Sequence, residues 1–121
     1  MIKTIAFLKA KVGLTRAQFI HYYETRHAPL ILSIAPQICD YRRNFIVEAG
    51  AIIAPGAAAR DFDVVTELWY PDAAAFAAAM AAFTDPENAR RIAADEEHVF
   101  ERAYTRFFTV EEHASPQLAG G

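Results

Sequence analysis

Residues 19–30 read FIHYYETRHAPL and form the middle of the first predicted helix. Ahead of this stretch, Thr15 is followed three residues later by Gln18, which is the spacing of a capping box at the start of a helix. We therefore predict a helix over residues 16–34, ended by Pro36. Its apolar side chains recur at helical spacing and form one stripe: Phe19, Ile20, Tyr23, Leu30, Ile31 and Ile34.

Pro29 lies inside this predicted helix. A proline has no backbone N–H, so the carbonyl of Thr25 loses its hydrogen bond and the helix should bend there. The distortion would fall beside His27, which occupies the same face as the apolar stripe. A helix that is distorted next to a histidine favours a cavity at that point.

On either side of this helix, apolar patterning and turn residues predict four strands, which form one antiparallel sheet, and two further helical segments. The predicted strands are Ile2–Lys11, Cys39–Glu48, Asp61–Tyr70 and Ala103–Glu111, and the further helices cover Asp72–Phe83 and residues 85 to about 101. The order is βαββαβ, which is typical of the ferredoxin-like α+β fold: a four-stranded antiparallel sheet with helices on one face.

The chain has the length of one domain, with 121 residues. Its apolar fraction of 54% includes 25 alanines, so we expect a thin core in which alanines let a helix lie close to the sheet. The domain is predicted over residues 1–112. Residues 113–121, with a Ser-Pro and a terminal Gly-Gly, are predicted to be a flexible tail.

Both faces of the predicted sheet carry apolar side chains. In the first strand, Ile5 and Phe7 lie opposite Ala6 and Leu8. In the third strand, Phe62, Val64 and Leu68 form one face, and Asp63, Val65, Glu67 and Trp69 form the other. Helices can cover only one of these faces, so we expect a second copy of the chain to cover the other.

Charge and composition argue against several classes of partner. Twelve basic and fifteen acidic residues give a net charge of −3 without a basic cluster, so we predict no nucleic-acid partner. The longest uncharged apolar run, Ala73–Phe83, is about half of a membrane span, so we predict no membrane partner. Lys3 and Lys9 interrupt any secretion signal, and Cys39 alone forms no intrachain disulfide. We therefore expect a cytoplasmic protein.

The stretch FIHYYETRHAPL resembles the first-helix signature of the EthD family of dimeric α/β barrel proteins, FxxYYxxxHAPL in this sequence. The similarity extends to the first strand, to FDVVTELW at residues 62–69, to Ala94-Asp95-Glu96 and to the segment at residues 110–113. The resemblance implies a homodimer whose two sheets face each other around a barrel. It also implies a pocket between the sheet and the helices of each protomer.

The same resemblance implies chemistry on small hydrophobic molecules without a cofactor. Relatives in this barrel superfamily include cofactor-independent monooxygenases, isomerases, polyketide cyclases, dehydratases and decarboxylases that act on aromatic compounds. The resemblance therefore implies a fold more specifically than a reaction, because one fold supports many activities.

His27 is the first candidate catalytic residue. It follows Tyr23 by four residues and so points toward the core along the apolar stripe. It is either a general acid or base or a buried histidine that satisfies a backbone carbonyl. A pocket tyrosine, Tyr23, is expected to assist it.

Asp95 and His98 are a second candidate pair, three residues apart on a predicted helix. At that spacing Asp95 can orient the His98 imidazole, although the segment DEEH also suits a solvated acidic turn. Asp95 matches the family pattern and is retained as a catalytic residue. Either Asp95 or a tyrosine is expected to assist proton transfer by His27.

Aromatic residues with polar groups suit a pocket for a flat phenolic ligand, although aromatic core packing is the commoner explanation for such residues. The candidate substrate-binding residues are Phe7, Tyr22, Tyr41, Glu67, Trp69, His98 and Phe100.

Metal and nucleotide cofactors are not expected. His21 and His27 are six residues apart and point to different sides of a helix, and no other spacing gathers three ligands. The sequence has no glycine-rich phosphate loop and no nucleophile elbow. We thus predict a cofactor-independent acid/base enzyme for dehydration, decarboxylation, cyclisation or isomerisation of a small aromatic or polyketide-like compound. The alternatives are a non-catalytic binder of a hydrophobic metabolite and a cofactor-free monooxygenase.

Overall fold

The computed structural model describes residues 1–117 and has the βαββαβ order expected from the sequence. The strands are β1 (Ile2–Leu8), β2 (Asp40–Phe45), β3 (Val64–Tyr70) and β4 (Arg106–Val110). The helices are α1 (Arg16–Tyr22), α2 (Ala28–Ile34), α3 (Ala73–Thr84) and α4 (Pro86–Glu96). A π-helical segment (Tyr23–His27) joins α1 to α2, and a 3₁₀ turn (Arg102–Tyr104) precedes β4.

The four strands form one antiparallel sheet in the order β2-β3-β1-β4. β1 pairs with β3 on one side, with Ile5 opposite Glu67, and with β4 on the other, with Ile5 opposite Phe108. The predicted ferredoxin-like α+β class is confirmed. The elements follow from local sequence, since Val, Ile, Phe and Tyr dominate the strands and alanine dominates α3.

Alternation along the strands divides the sheet into a covered face and a helix-free face. The covered face contributes the side chains that pack beneath the helices: Thr4, Ala6, Leu8, Val64, Thr66, Leu68 and Tyr70. Ala79 of α3 is completely buried against this layer, because its methyl group lets the helix lie close to the sheet. The core of the domain is therefore the space between this face and the helices.

The first helix begins as predicted, but its middle is π-helical. The hydroxyl of Thr15 accepts from the N–H of Gln18, whose side chain accepts from the N–H of Thr15. Further along, the N–H of Ala28 bonds to the carbonyl of Tyr23, five residues back. Pro29 follows in the first turn of α2. Because proline offers no N–H, the chain relaxes the helix by one residue instead of keeping the α pattern.

The last predicted helix is too long and the last predicted strand starts too early. α4 ends at Glu96, and the chain turns so that Phe100 forms an isolated bridge with Ala10. The 3₁₀ turn then delays β4 until Arg106. Residues 97–105 are needed to return the chain to the sheet edge, so they are not available to either element.

The helix-free face carries a cluster of aromatic and charged side chains. Phe7 packs edge-on against Phe62, with ring centroids 5.1 Å apart, and against Phe108 at 6.3 Å. Lys3 binds Glu67 at 2.7 Å on the same face. Phe62 lies just before β3 and packs with this face, so its predicted grouping with Val64 is wrong.

Within residues 1–117, no helix is both long enough and apolar enough to span a membrane. The end of the predicted tail, residues 118–121, lies outside the described residues.

Candidate active site

A cavity of about 420 Å³ lies between the covered face of the sheet and the helices. This volume is within the range of small-molecule sites in proteins. Most of its wall is apolar: Ala6, Leu8, Ile31, Leu68, Met80, Phe83, Ala89, Ile92 and Phe107. The polar groups on the wall are fewer: Tyr23, His27, Tyr41, Thr66, Thr84, Glu96, Arg102 and Thr105.

His27 lines this cavity and is held by a carboxylate from α4. Its side chain is 5% exposed, and its Nδ1 lies 2.7 Å from Oδ2 of Asp95. The other carboxylate oxygen of Asp95 accepts from the hydroxyl of Tyr22 at 2.9 Å. The π-helical segment and the end of α4 thus bring together residues that are 68 positions apart in sequence.

Asp95 fixes the tautomer of the imidazole. Burial raises the pKa of the Asp95 carboxyl, but hydrogen bonds from His27 and Tyr22 outweigh it, so the pKa lies below its usual value. An ionised carboxylate can only accept, and Nδ1 of His27 must therefore donate to it. In a neutral ring this leaves Nε2 as an acceptor on a residue that lines the cavity.

Aromatic rings fix the position of the imidazole from two sides. The rings of Tyr23 and Phe100 each meet the His27 ring edge-on, with centroids 4.9 Å apart. Phe100 is buried and supports the histidine from behind, since it does not line the cavity. The ring of His27 therefore has little rotational freedom, as a proton-transfer group requires.

Three hydroxyl groups line the sheet side of the cavity. The hydroxyl of Tyr23 lies 2.6 Å from that of Thr66 and 3.1 Å from that of Tyr41. Burial raises the pKa of Tyr23 to about 12 and raises that of Tyr41 well above its ordinary value. Both phenols therefore remain protonated in neutral solution and can donate hydrogen bonds.

Glu96 is a cavity residue that the sequence interpretation missed. It neighbours Asp95, its side chain is 15% exposed, and Nε of Arg102 lies 3.5 Å from its carboxylate. Burial raises the pKa of Glu96, and the charges of His27 and Arg102 offset only part of this effect. Glu96 follows Ile92 by four residues and Ala89 by seven, so all three lie on one face of α4. This spacing was the signal in the sequence that could have identified Glu96.

The predicted pairing of Asp95 with His98 is wrong. The carboxylate of Asp95 points to His27 and Tyr22 instead, and His98 lies exposed with its ring 6.1 Å from that of Tyr22. The α-helix ends at Glu96, so the i,i+3 geometry assumed for the pair does not apply. Neither Tyr22 nor His98 lines the cavity. Tyr22 is connected to the cavity through its hydrogen bond to Asp95, which in turn contacts His27.

Phe7, Glu67 and Trp69 are also outside the cavity. All three occupy the helix-free face, because they alternate along the strand with residues of the covered face. Glu67 binds Lys3, and the ammonium of Lys3 lies 4.5 Å from the ring of Trp69. Of the predicted substrate-binding residues, the cavity includes Tyr41.

Among residues 1–117, no three His, Cys, Asp or Glu side chains are grouped as ligands for a metal ion.

Several solved structures share this fold at low sequence identity. An ethyl tert-butyl ether d (EthD) family protein from Bacillus halodurans is 21% identical, covers 93% of this chain and 100% of that chain, and has a TM-score of 0.60. SnoaB, a cofactor-independent oxygenase from Streptomyces nogalater, is 12% identical over 94% of each chain, with a TM-score of 0.56.

A dimeric ferredoxin-like protein of unknown function from Thermobifida fusca is 18% identical. The match covers 90% of this chain and 88% of that chain, with a TM-score of 0.51. The search of curated proteins gives no match. The family model of the EthD domain matches residues 11–103, which include α1, α2, β2, β3, α3 and α4. The chain therefore belongs to the EthD family.

Proposed function

We propose that this protein is a cofactor-independent enzyme that moves a proton on a small, largely apolar compound. The observation that supports this proposal most directly is the 2.7 Å contact between Nδ1 of His27 and Oδ2 of Asp95 at the wall of a largely apolar cavity. A histidine oriented by a carboxylate is a general base near neutral pH, and an apolar enclosure strengthens the electrostatic effects on which such catalysis depends.

The geometry supports specific roles for the polar groups. Nε2 of His27 removes a proton from the substrate, and Asp95 stabilises the imidazolium that forms. Glu96 is a second group on the same wall, and its raised pKa suits it to return a proton. Dehydration, decarboxylation, cyclisation and isomerisation of an aromatic or polyketide-like compound all require such proton movement.

A carbon-acid probe tests this function without knowledge of the natural substrate. In D₂O, we expect the protein to accelerate exchange of the acidic benzylic protons of β-tetralone, followed by proton NMR. His27→Gln should lower the enzyme-dependent rate by about 10²- to 10⁴-fold. His21→Gln is the matched control, because His21 is an exposed histidine of the same helix, outside the cavity. Equal rates in the H27Q variant and the unmodified protein contradict the proposal.

A non-catalytic binder is the alternative from another class. It would bind an apolar compound in the same cavity and leave the exchange rate at the buffer value. Titration of β-tetralone into the H27Q variant, combined with the exchange assay, separates the two candidates. A binder keeps its affinity for β-tetralone and shows no proton exchange before or after the substitution.

A cofactor-free oxygenase is the second alternative, suggested by the fold shared with SnoaB. Such an enzyme also begins by removing a proton from its substrate, so His27 would have the same first role. Anthrone and dioxygen would give anthraquinone and water, with the substrate supplying the electrons. Consumption of oxygen in the presence of anthrone, dependent on His27, favours this reading.

We further propose that two copies of the chain associate through their helix-free faces. The aromatic group of Phe7, Phe62 and Phe108 supports this, because Phe108 is 51% exposed in a single chain. The Thermobifida fusca protein with the same fold is described as dimeric. A dimer of this kind leaves the cavity of each protomer on the opposite side of its sheet.

A further inference from the structure

Three hydroxyls that line the sheet side of the cavity come from separate elements. Thr66 lies on β3, Tyr41 on β2 and Tyr23 in the π-helical segment. The Tyr23 hydroxyl is in the middle, 2.6 Å from that of Thr66 and 3.1 Å from that of Tyr41. The neighbouring side chains on the sheet are apolar, with Leu68 opposite Tyr41 and Ala6 opposite Thr66. A polar cluster at one place on an apolar wall specifies where a polar atom of a ligand can lie.

The hydroxyl cluster has one more proton than its own hydrogen bonds use. Three hydroxyls provide three donors, and the two contacts between them consume two, whichever way each bond points. Within residues 1–117, these hydroxyls have no other hydrogen-bond partner. One O–H is therefore left to donate to something that enters the cavity.

Of the three residues, Tyr41 is the best placed to present the spare O–H to the cavity. Thr66 and Tyr23 are 2% and 0% exposed, whereas Tyr41 is partly exposed. An unpaired O–H costs free energy at a buried position, so the favoured arrangement runs from Thr66 through Tyr23 to Tyr41. The raised pKa of Tyr41, caused mainly by burial, keeps this donor protonated.

Tyr41 is held in place by a charged pair behind it. The guanidinium of Arg43 lies 4.7 Å from the centre of the Tyr41 ring. Both carboxylate oxygens of Glu24 accept from that guanidinium, at 3.0 and 2.6 Å. A stacked cation that is itself fixed by two hydrogen bonds restricts the tyrosine ring. The donor is thus oriented before any ligand arrives.

We propose that the cavity binds an enolisable ketone, with an apolar ring system against the wall and its carbonyl oxygen accepting the O–H of Tyr41. His27 lines the same cavity and would remove the proton from the carbon next to that carbonyl. The negative charge then moves to the oxygen that Tyr41 holds, giving an enolate, and the imidazole gains the proton. This substrate class rests on the proposed function of His27.

The test compares β-tetralone with tetralin, which has the same ring system without the carbonyl oxygen. Isothermal titration of the full chain should show tighter binding of the ketone by about tenfold, the worth of one added hydrogen bond. Tyr41→Phe should reduce this preference while the affinity for tetralin is retained, because the O–H that the variant leaves spare is on the fully buried Tyr23 or Thr66. Equal binding of both compounds by the unmodified protein, or binding of neither, overturns the proposal.

Tyr70→Phe is the matched control for the loss of a buried hydroxyl. Tyr70 and Thr4 form a hydroxyl pair on the same sheet face, 3.1 Å apart, but outside the cavity. The control should keep the ketone preference, and a Y41F variant that also keeps it overturns the assignment. Proton exchange separates this result from the proposed function. If proton exchange depends on His27 but the ketone preference does not depend on Tyr41, only the inference is contradicted. If the ketone preference depends on Tyr41 but proton exchange does not depend on His27, only the proposed function is contradicted.

Discussion

Asp95 joins His27 to Tyr22, since one of its carboxylate oxygens serves each residue. Replacing Asp95 by Asn keeps the shape but removes the charge that stabilises an imidazolium, and it allows the amide to donate toward Nδ1. We expect Asp95→Asn to lower the exchange rate of β-tetralone by roughly 10²–10⁴-fold while the protein stays folded.

The nitrogen-15 shifts of the His27 ring give a second readout for Asp95. In the unmodified protein, the neutral ring should carry its proton on Nδ1, and the D95N variant should shift protonation toward Nε2. Tyr22→Phe removes only the outer hydrogen bond and should change the rate much less. A D95N protein with unchanged rate and tautomer would show that Asp95 does not position His27.

Glu96 gives a prediction about pH and stability. Burial raises the pKa of Glu96 in the folded protein above its value in the unfolded chain. The contribution of Glu96 to stability is therefore complete below the unfolded pKa and is lost as the pH rises through the folded pKa. Gln does not ionise and avoids this loss. Urea unfolding should therefore show that Glu96→Gln gains stability relative to the unmodified protein between pH 4 and pH 8.

Glu97 is the matched control for this experiment. It is the adjacent carboxylate, with a side chain that is 63% exposed. Glu97→Gln, at this exposed position, should change the stability by less than about 0.5 kcal/mol. If the stability difference between E96Q and the unmodified protein stays constant from acid to neutral pH, burial does not control the pKa of Glu96.

At the scale of elements, α3 lies close to the sheet because of one alanine. Ala79 is completely buried in a cluster with Ile31, Ala35 and Leu68. Ala79→Leu should destabilise the protein by about 1–3 kcal/mol, because a packed core cannot accept extra volume without strain. Ala78→Leu, on the exposed side of the same helix, should change stability by less than about 0.5 kcal/mol. Thermal or urea unfolding of the two variants measures the difference, and equal stabilities would contradict close packing of α3.

Local signals in the sequence predicted the elements well, because their causes are local. Thr15 and Gln18 form the capping box that their spacing indicates, and Pro29 distorts the backbone where its missing N–H requires it. Even so, a bend was predicted and a π-helical segment is observed. The sequence alone does not say whether a chain resolves such a defect by bending or by adding a residue to the turn.

The candidate site was predicted only in part, because its contacts are not local. The spacing paired Asp95 with its sequence neighbour His98 and gave no contact for its expected assistance to His27, whereas in the structure the carboxylate of Asp95 contacts His27, 68 residues away. Trp69 and Glu67 were included because of their residue types, although strand alternation placed them on the face opposite Val64 and Leu68. Pairing across elements depends on the packing of α4 against the π-helical segment, which spacing within one element does not determine.

At the scale of the whole molecule, the two faces of the sheet have different tasks. The covered face, with Thr66 and Leu68, builds the cavity, and the helix-free face, with Phe7 and Phe108, is left uncovered within residues 1–117. An uncovered aromatic group on an antiparallel sheet is typical of an interface between copies. Under the proposals above, one face of this sheet serves a ligand site and the other serves an interface between copies.

Phe108→Glu tests the assembly directly. Light scattering after size exclusion should give the unmodified protein twice its chain mass of 13.4 kDa at micromolar concentration. In the dimer the new carboxylate would be buried without a partner, so F108E should elute as a monomer of 13.4 kDa. In a protein that is already monomeric, the same change at a half-exposed position would alter little. Leu32→Glu, at an exposed position on α2 in the helix layer, should leave the dimer intact. A monomeric unmodified protein, or a dimer that persists in F108E, would mean that the helix-free face is not the interface.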